Sequence, residues 1–196
     1  MSGKRDHNKI RVLGISASPR KCGSTDILID KALDGAISCG AAVDKIMLNG
    51  LYFASCQECG GCSKSGICIL RDDMTAVYKK VEKSDAIILA SPIFFANLTA
   101  QAKAFIDRFH CVWVYKNVLK KAPAGTFKKG AFICVSEIEK RSYFENSRSV
   151  VKAFFSTIGA EYRSEIYSGG IKNPGDVLKN KQLVNSAFML GKSLCE

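Results

Sequence analysis

Four cysteines lie within thirteen residues in the middle of this 196-residue chain, a density that core packing does not require. Three recur at intervals of three residues and a fourth follows five intervening residues later: Cys56, Cys59, Cys62 and Cys68. Glycines at 60, 61 and 66 free the backbone to curl so that the sulfurs can converge. Thiolates bind soft metals, and such compact spacing is typical of an iron–sulfur cluster, whereas structural zinc usually has two separated pairs. The segment predicts a cluster, with zinc, a redox disulfide or inert thiols as the alternatives.

A second candidate site is the hydroxyl-rich loop after the first apolar run. It offers four hydroxyls and a cation before a helix, and the residues are Ser16, Ser18, Arg20, Ser24 and Thr25. Hydroxyls, a cation and a helix amino end are what a phosphate monoester needs. The loop matches neither a Walker loop nor a dinucleotide fingerprint. It predicts a phosphate site, with an ordinary capped turn as the alternative.

A third stretch, residues 91–97, places aromatic and aliphatic side chains beside a proline and an amide. The candidates are Pro92, Ile93, Phe94, Phe95 and Asn97. Such a surface suits a flat heteroaromatic ring. The alternative is that Phe94 and Phe95 are core residues.

The elements that must position these stretches alternate along the chain. Apolar runs predict five strands, at 11–18, 43–48, 85–91, 130–136 and 161–167. A segment with helical periodicity follows each strand. These helices are predicted at 24–39, from Asp72 and Asp73 onward, and at 99–109, 142–158 and 175–194. This pattern predicts one α/β domain over residues 1–196, with a five-stranded parallel sheet between two helical layers. Ligands bind such sheets at the carboxyl ends of the strands. Segment 49–71, with the cysteines, is too long for an ordinary connection.

The composition of the chain indicates its cellular compartment and its class of binding partner. Residues 1–9 are polar and no apolar run is long enough for a membrane span, so we expect a cytoplasmic protein. The five other cysteines are scattered, which fits a reducing compartment. The net charge is +11, but the basic residues are dispersed, which favours an acidic redox partner or an anionic cofactor over nucleic acid. His7 and His110 have no catalytic partner nearby in the sequence.

Taken together, these stretches resemble the NAD(P)H-dependent FMN reductase superfamily. The resemblance rests on Ser16-x-Ser18-Pro19-Arg20-Lys21 and on Ser91-Pro92-Ile93-Phe94-Phe95-x-Asn97-x-Thr99-Ala100-Gln101-x-Lys103-Ala104-Phe105-Ile106-Asp107-Arg108. The cysteine run followed by Asp72-Asp73-Met74 is similar to the iron–sulfur flavoproteins of that superfamily. The match extends from about residue 11 to residue 108, and beyond residue 130 it rests on the order of elements.

The resemblance implies a flavodoxin-like fold with strand order 2-1-3-4-5, bound FMN, a 4Fe-4S cluster and a homodimer or homotetramer. By position, the hydroxyl-rich loop would hold the FMN phosphate, residues 92–97 would line the isoalloxazine, and the four cysteines would hold the cluster. The chain departs from the family at Cys22 and Ser24, where Asn is common, at Phe94 for Tyr, and at Ala96 for Gly. Residues 136–141 are charged where relatives have a Gly-rich turn.

The implied function is electron transfer between a donor or acceptor at the flavin and a one-electron partner such as a ferredoxin. Two other functions stay open. One is an NAD(P)H-dependent flavin or quinone reductase. The other is a non-enzymatic binding module stabilised by zinc.

Overall fold

A parallel sheet forms the centre of the protein in the computed structural model, which describes residues 9–121 and 127–196. Its strands are β1 (Arg11–Ser16), β2 (Ala42–Met47), β3 (Ala86–Phe94), β4 (Asn97–Leu98), β5 (Lys128–Val135) and β6 (Ala160–Ser168). The parallel order is β2-β1-β3-β5-β6, the flavodoxin-like order, and the two-residue β4 pairs antiparallel with β3. The predicted fold class is confirmed. The sixth strand was missed because residues 91–97 had the composition of a loop.

Helices cover both faces of the sheet. They are α1 (Ser24–Ser38), α2 (Met74–Lys83), α3 (Ala100–Asp107), α4 (His110–Trp113), α5 (Arg141–Ile158), α6 (Pro174–Lys179) and α7 (Lys181–Ser193), with a 3-10 turn at Leu48–Gly50 and a π-helical turn at Val114–Val118. The single helix predicted at 175–194 is two helices, because Asn180 leaves helical geometry with ψ 82° and its side chain accepts a hydrogen bond from Leu183 N at 3.0 Å. Each helix in the described ranges is too short or too polar to span a membrane.

Alternating side chains along the strands divide the core into two halves. Val12 and Ile88 point to one face and pack with α1 and α7, whereas Leu13 and Leu89 point to the other and pack with α2, α3 and α5. Met74, Val77 and Val81 of α2 are buried there, as their spacing predicts. Both faces of the central strands are therefore dry, and the side chains left for chemistry lie at strand ends and in loops.

Helices α1 and α7 approach each other so closely that their contact tolerates only glycine at two positions. A Cβ at Gly191 would overlap the carbonyl oxygen of Ala32, and a Cβ at Gly35 would overlap that of Phe188. Backbone atoms cannot move aside as a flexible side chain can. The two glycines therefore fix the spacing of the helical layer against the sheet.

We expect Gly191→Ala to destabilise the protein by about 1–3 kcal/mol, because the added methyl forces α1 and α7 apart. Urea unfolding measures the change. Gly175→Ala is the matched control, since a Cβ at Gly175 meets nothing within 4 Å. An equal stability of the two variants would contradict the close helix contact.

Candidate functional site

The cysteine segment follows the 3-10 turn and reaches α2 without forming a strand or helix of its own. Two of its glycines have left-handed backbone geometry, with φ 70° at Gly60 and φ 71° at Gly66. A Cβ at Gly66 would also lie 2.6 Å from Cβ of Tyr115. The glycines therefore do what the sequence predicts, since they let the segment turn tightly against the helical layer.

All four cysteines line one cavity of about 290 Å³. Arg108, His110 and Cys111 lie in its wall. Burial raises the pKa of the Cys62 thiol, and the nearness of Cys56, Cys68 and Cys59 raises it further. Within the described residues, no three His, Cys, Asp or Glu side chains are arranged to hold a metal ion. Among the described residues, the structure thus gathers the four thiols around one space without an arrangement for a single metal ion.

Arg108 is the most deeply buried large side chain beside this cavity, with 1% of its surface exposed. Its Nη1 donates to Asp72 Oδ2 at 2.5 Å and to the carbonyl of Ala54 at 2.7 Å. Its Nη2 donates to Asp72 Oδ1 at 3.1 Å and to Cys68 Sγ at 3.5 Å. One guanidinium therefore binds both ends of the cysteine segment.

Asp72 completes this connection from the other side. Its carboxylate accepts hydrogen bonds from the backbone N–H of Met74 at 3.1 Å and of Ala54 at 3.3 Å. Burial by itself raises the pKa of Asp72, but the hydrogen bonds and charge of Arg108 outweigh burial and lower it below its usual value. The ion pair joins the cysteine segment, the start of α2 and the end of α3.

A second cavity, of about 150 Å³, lies where the hydroxyl-rich loop meets the loop after β3. Seven of the predicted flavin-site residues line it: Ser18, Arg20, Ser24, Thr25, Pro92, Ile93 and Phe94. The other three, Ser16, Phe95 and Asn97, are not in its wall. The structure therefore brings the two loops together at the carboxyl edge of β1 and β3, where a doubly wound sheet binds ligands.

The amino end of α1 lines this second cavity. Its N-cap is Gly23, with no side-chain cap, so the first N–H groups of the helix stay available to a ligand. Ser18 is engaged in its own turn, where its Oγ accepts from Arg20 N at 3.1 Å. Ser16 Oγ is buried without a hydrogen-bond partner. Ser24 and Thr25 line the cavity beside these N–H groups, whereas Ser16 is not in its wall and Ser18 is bonded within its own turn.

Phe94 and Phe95 lie at the tip of the β3–β4 hairpin and not in the core. Phe94 is 46% exposed and Phe95 is fully exposed, so the core interpretation is wrong for both. Phe95 and Ala96 have φ 47° and 63°, a left-handed turn that costs a bulky residue conformational energy. Strained residues of this kind cluster at ligand sites.

Both cavities include residues that the sequence does not predict as site residues. Ser136, Glu137 and Lys172 line the second cavity, from the loops after β5 and β6. Residues 136–141 stand out in the sequence only as a charged departure from a Gly-rich turn, and Lys172 has no recognisable signal. In the first cavity these residues are Arg108 and His110.

The two cavities share no lining residue among the described parts of the chain. Helix α5 has contacts in the direction of each: Asn146 Nδ2 donates to the carbonyl of Ala96 in the hairpin, and Ala153 lines a separate depression that also includes Cys56.

The chain belongs to the NADPH-dependent FMN reductase family, whose model matches residues 10–153. Its fold, its phosphate-type loop and its exposed aromatic hairpin are consistent with that assignment. Membership of this family favours flavin redox chemistry over the non-enzymatic binding module.

The chain is similar in sequence to proteins named iron–sulfur flavoproteins. The chain is 42% identical over 99 residues to an iron–sulfur flavoprotein of Archaeoglobus fulgidus, which covers 50% of this chain and 45% of the relative. It is 36% identical over 99 residues to an iron–sulfur flavoprotein of Methanosarcina thermophila, and the match covers 50% of this chain and 52% of the relative. The chain thus spans about half the length of the curated relatives it matches. The NAD(P)H:quinone oxidoreductase of Methanothermobacter marburgensis has the same fold, with a TM-score of 0.73 at 19% identity over 95% of this chain and 96% of that one.

We expect the stabilising effect of Asp72 to depend on pH. Because its folded pKa is lowered, its contribution is fully present above the unfolded pKa of about 3.9 and is lost as pH falls through the folded pKa. Asp72→Asn should therefore be less stable than the wild type at neutral pH, and the difference should shrink in acid. Urea unfolding at a series of pH values tests this, with the exposed Asp107→Asn as control. A difference that does not change with pH would contradict the charged pair.

Proposed function

We propose that this protein binds FMN and a 4Fe-4S cluster and transfers electrons between a donor or acceptor at the flavin and a one-electron partner such as a ferredoxin. A flavin exchanges one or two electrons and a cluster exchanges one, so the pair can connect two-electron and one-electron chemistry. The observation that carries the proposal is the gathering of four thiols around one cavity in a chain of a flavin-binding family.

The residues fit FMN. The free amino end of α1, the hydroxyls of Ser24 and Thr25, and the cations Arg20 and Lys172 surround the second cavity and suit a phosphate. At about 150 Å³ the cavity is below the usual range for a whole ligand, which suits the phosphate end alone. The exposed Phe94 and Phe95 then supply the surface for the ring.

The donor set at the first cavity fits an iron–sulfur cluster. Four cysteine sulfurs are its usual ligands, and the chain has no other cysteine cluster of this spacing. The relatives it matches carry the name iron–sulfur flavoprotein. Cys59 is exposed and the other three are partly buried, so the site lies near the surface, where a protein partner can approach.

Charge and thiol state agree with the proposed setting. The five cysteines outside the segment are scattered along the sequence, which supports a reducing compartment. The net charge of +11 would attract an acidic one-electron carrier. Lys128 is buried and donates to the carbonyls of Glu82 and Ser84, so it does not contribute to the charge of the surface.

A homodimer or homotetramer belongs to the same proposal. Phe94 and Phe95 are exposed at the tip of the hairpin, and their cavity shares no lining residue with the cysteine cavity among the described parts of the chain. A second copy packed on the hairpin would enclose the ring and bring a second cluster site near it.

The second candidate is an NAD(P)H-dependent flavin or quinone reductase in which the cluster is secondary. The family description favours it, since it names NADPH as the reductant. The two functions differ in whether electrons from the flavin need the cysteine site to leave the protein.

Removing the hydroxyl of Ser24 should weaken FMN binding while leaving the fold intact. A hydrogen bond to a charged phosphate is worth about 1.5–3 kcal/mol, which is tenfold or more in affinity. Flavin fluorescence titration of Ser24→Ala measures this. The control is Ser142→Ala, an exposed hydroxyl in the first turn of α5. Unchanged FMN affinity would remove this loop from the site.

Replacing Cys59 or Cys62 with serine should abolish the cluster and stop electron transfer to a ferredoxin, while FMN stays bound by its separate loops. Iron analysis, flavin content and ferredoxin reduction measure the three effects. Cys39→Ser, an exposed thiol outside the cavity, is the matched control. If the serine variants reduce the ferredoxin at the wild-type rate, the reductase alternative replaces the relay.

A further inference from the structure

Arg108 has one hydrogen-bond donor left after its contacts inside the protein are counted. A guanidinium carries five N–H groups. Four are used, two by Asp72 and one each by the carbonyl of Ala54 and the sulfur of Cys68. The fifth, on Nε, is buried and has no hydrogen-bond partner. An unpaired buried donor costs stability, so its presence calls for an explanation.

The direction of this free donor follows from the shape of the group. Nη1 and Nη2 both contact the carboxylate of Asp72, which therefore occupies the far end of the planar guanidinium. The remaining Nη2–H and the Nε–H lie on one edge of the plane and point the same way. Nη2 reaches Cys68 Sγ at 3.5 Å on that edge. The free Nε–H thus points toward the cavity that Arg108 and Cys68 both line.

We propose that Arg108 is a positioning residue for the metal centre, holding the Cys68 sulfur through Nη2–H and offering Nε–H to a second sulfur there. This inference rests on the proposed function. Positive charge and hydrogen bonds at cluster sulfurs favour the reduced, more negative state and raise the reduction potential. Arg108 is the one Lys or Arg among the described residues that line the cavity. Asp72 limits how far Arg108 raises the reduction potential, because the carboxylate of Asp72 neutralises part of the positive charge of Arg108.

Two variants separate this role from a merely structural one. Asp72→Asn removes the neutralising charge and keeps the donor edge, so the potential should rise. The double variant Arg108→Met with Asp72→Asn removes both charges and the donors without leaving one charge buried alone, so the potential should fall. Arg71→Gln is the control, since it removes an exposed cation three residues from Cys68. Solvent screens that cation, so its removal should shift the potential least.

The experiment is an anaerobic redox titration of the FMN-loaded protein with dithionite, followed by electron paramagnetic resonance. Dithionite gives one electron to the centre at each reduction, and no protein bond forms or breaks. The double variant should change the reduction equilibrium at least tenfold relative to wild type, which is about 59 mV for one electron. The shift in Asp72→Asn should have the opposite sign. Loss of iron from a double variant whose circular dichroism is unchanged, while Asp72→Asn keeps its iron, also supports the role.

Other results overturn it. Shifts of the same sign in both variants, or potentials equal to that of Arg71→Gln, would show that Arg108 only holds the segment in place. The proposed function would survive that outcome, because the wild type would still contain its cluster. A wild-type protein without iron and acid-labile sulfide would instead remove the cluster itself, and this role with it.

Discussion

A buried ion pair between Arg108 and Asp72 holds the cysteine segment of this protein in place. The cysteine segment has no strand or helix of its own, so its shape depends on contacts with the layered domain beneath it. The pair reaches Ala54 before the cysteines and Cys68 at their end. Burying two charges is costly unless their hydrogen bonds are complete, and here one donor of Arg108 stays free. In the proposed metal centre, this free donor would bind a sulfur.

The strand order of the sheet determines where the loops of the two cavities lie. Because β1 and β3 are parallel neighbours, the loops that follow them emerge side by side and form one cavity at the amino end of α1. The cysteine segment follows β2, at the outer edge of the sheet, and packs against α3 and α4 instead of joining that cavity. The two cavities therefore have separate walls within the described parts of one chain.

The sequence predicts the layered fold well because its strands are continuous apolar runs and its helices have clear periodicity. Four cysteines at short spacing also identify their own site, and the hydroxyl-rich loop identifies the other. The exposure of Phe94 and Phe95 could not be predicted from the sequence, because an exposed aromatic hairpin and a core segment have the same composition. Arg108 and Lys172 reach their cavities only through tertiary packing, and no local pattern reports such a contact.

Whether one chain holds both a flavin and an iron–sulfur cluster can be measured from the metal and cofactor content of protein purified without oxygen. Iron, acid-labile sulfide, zinc and FMN should be measured on the same sample. We expect about four iron atoms and four sulfides for each FMN, in a brown protein. A yellow protein with FMN and no iron, or one with zinc in place of iron, would contradict it.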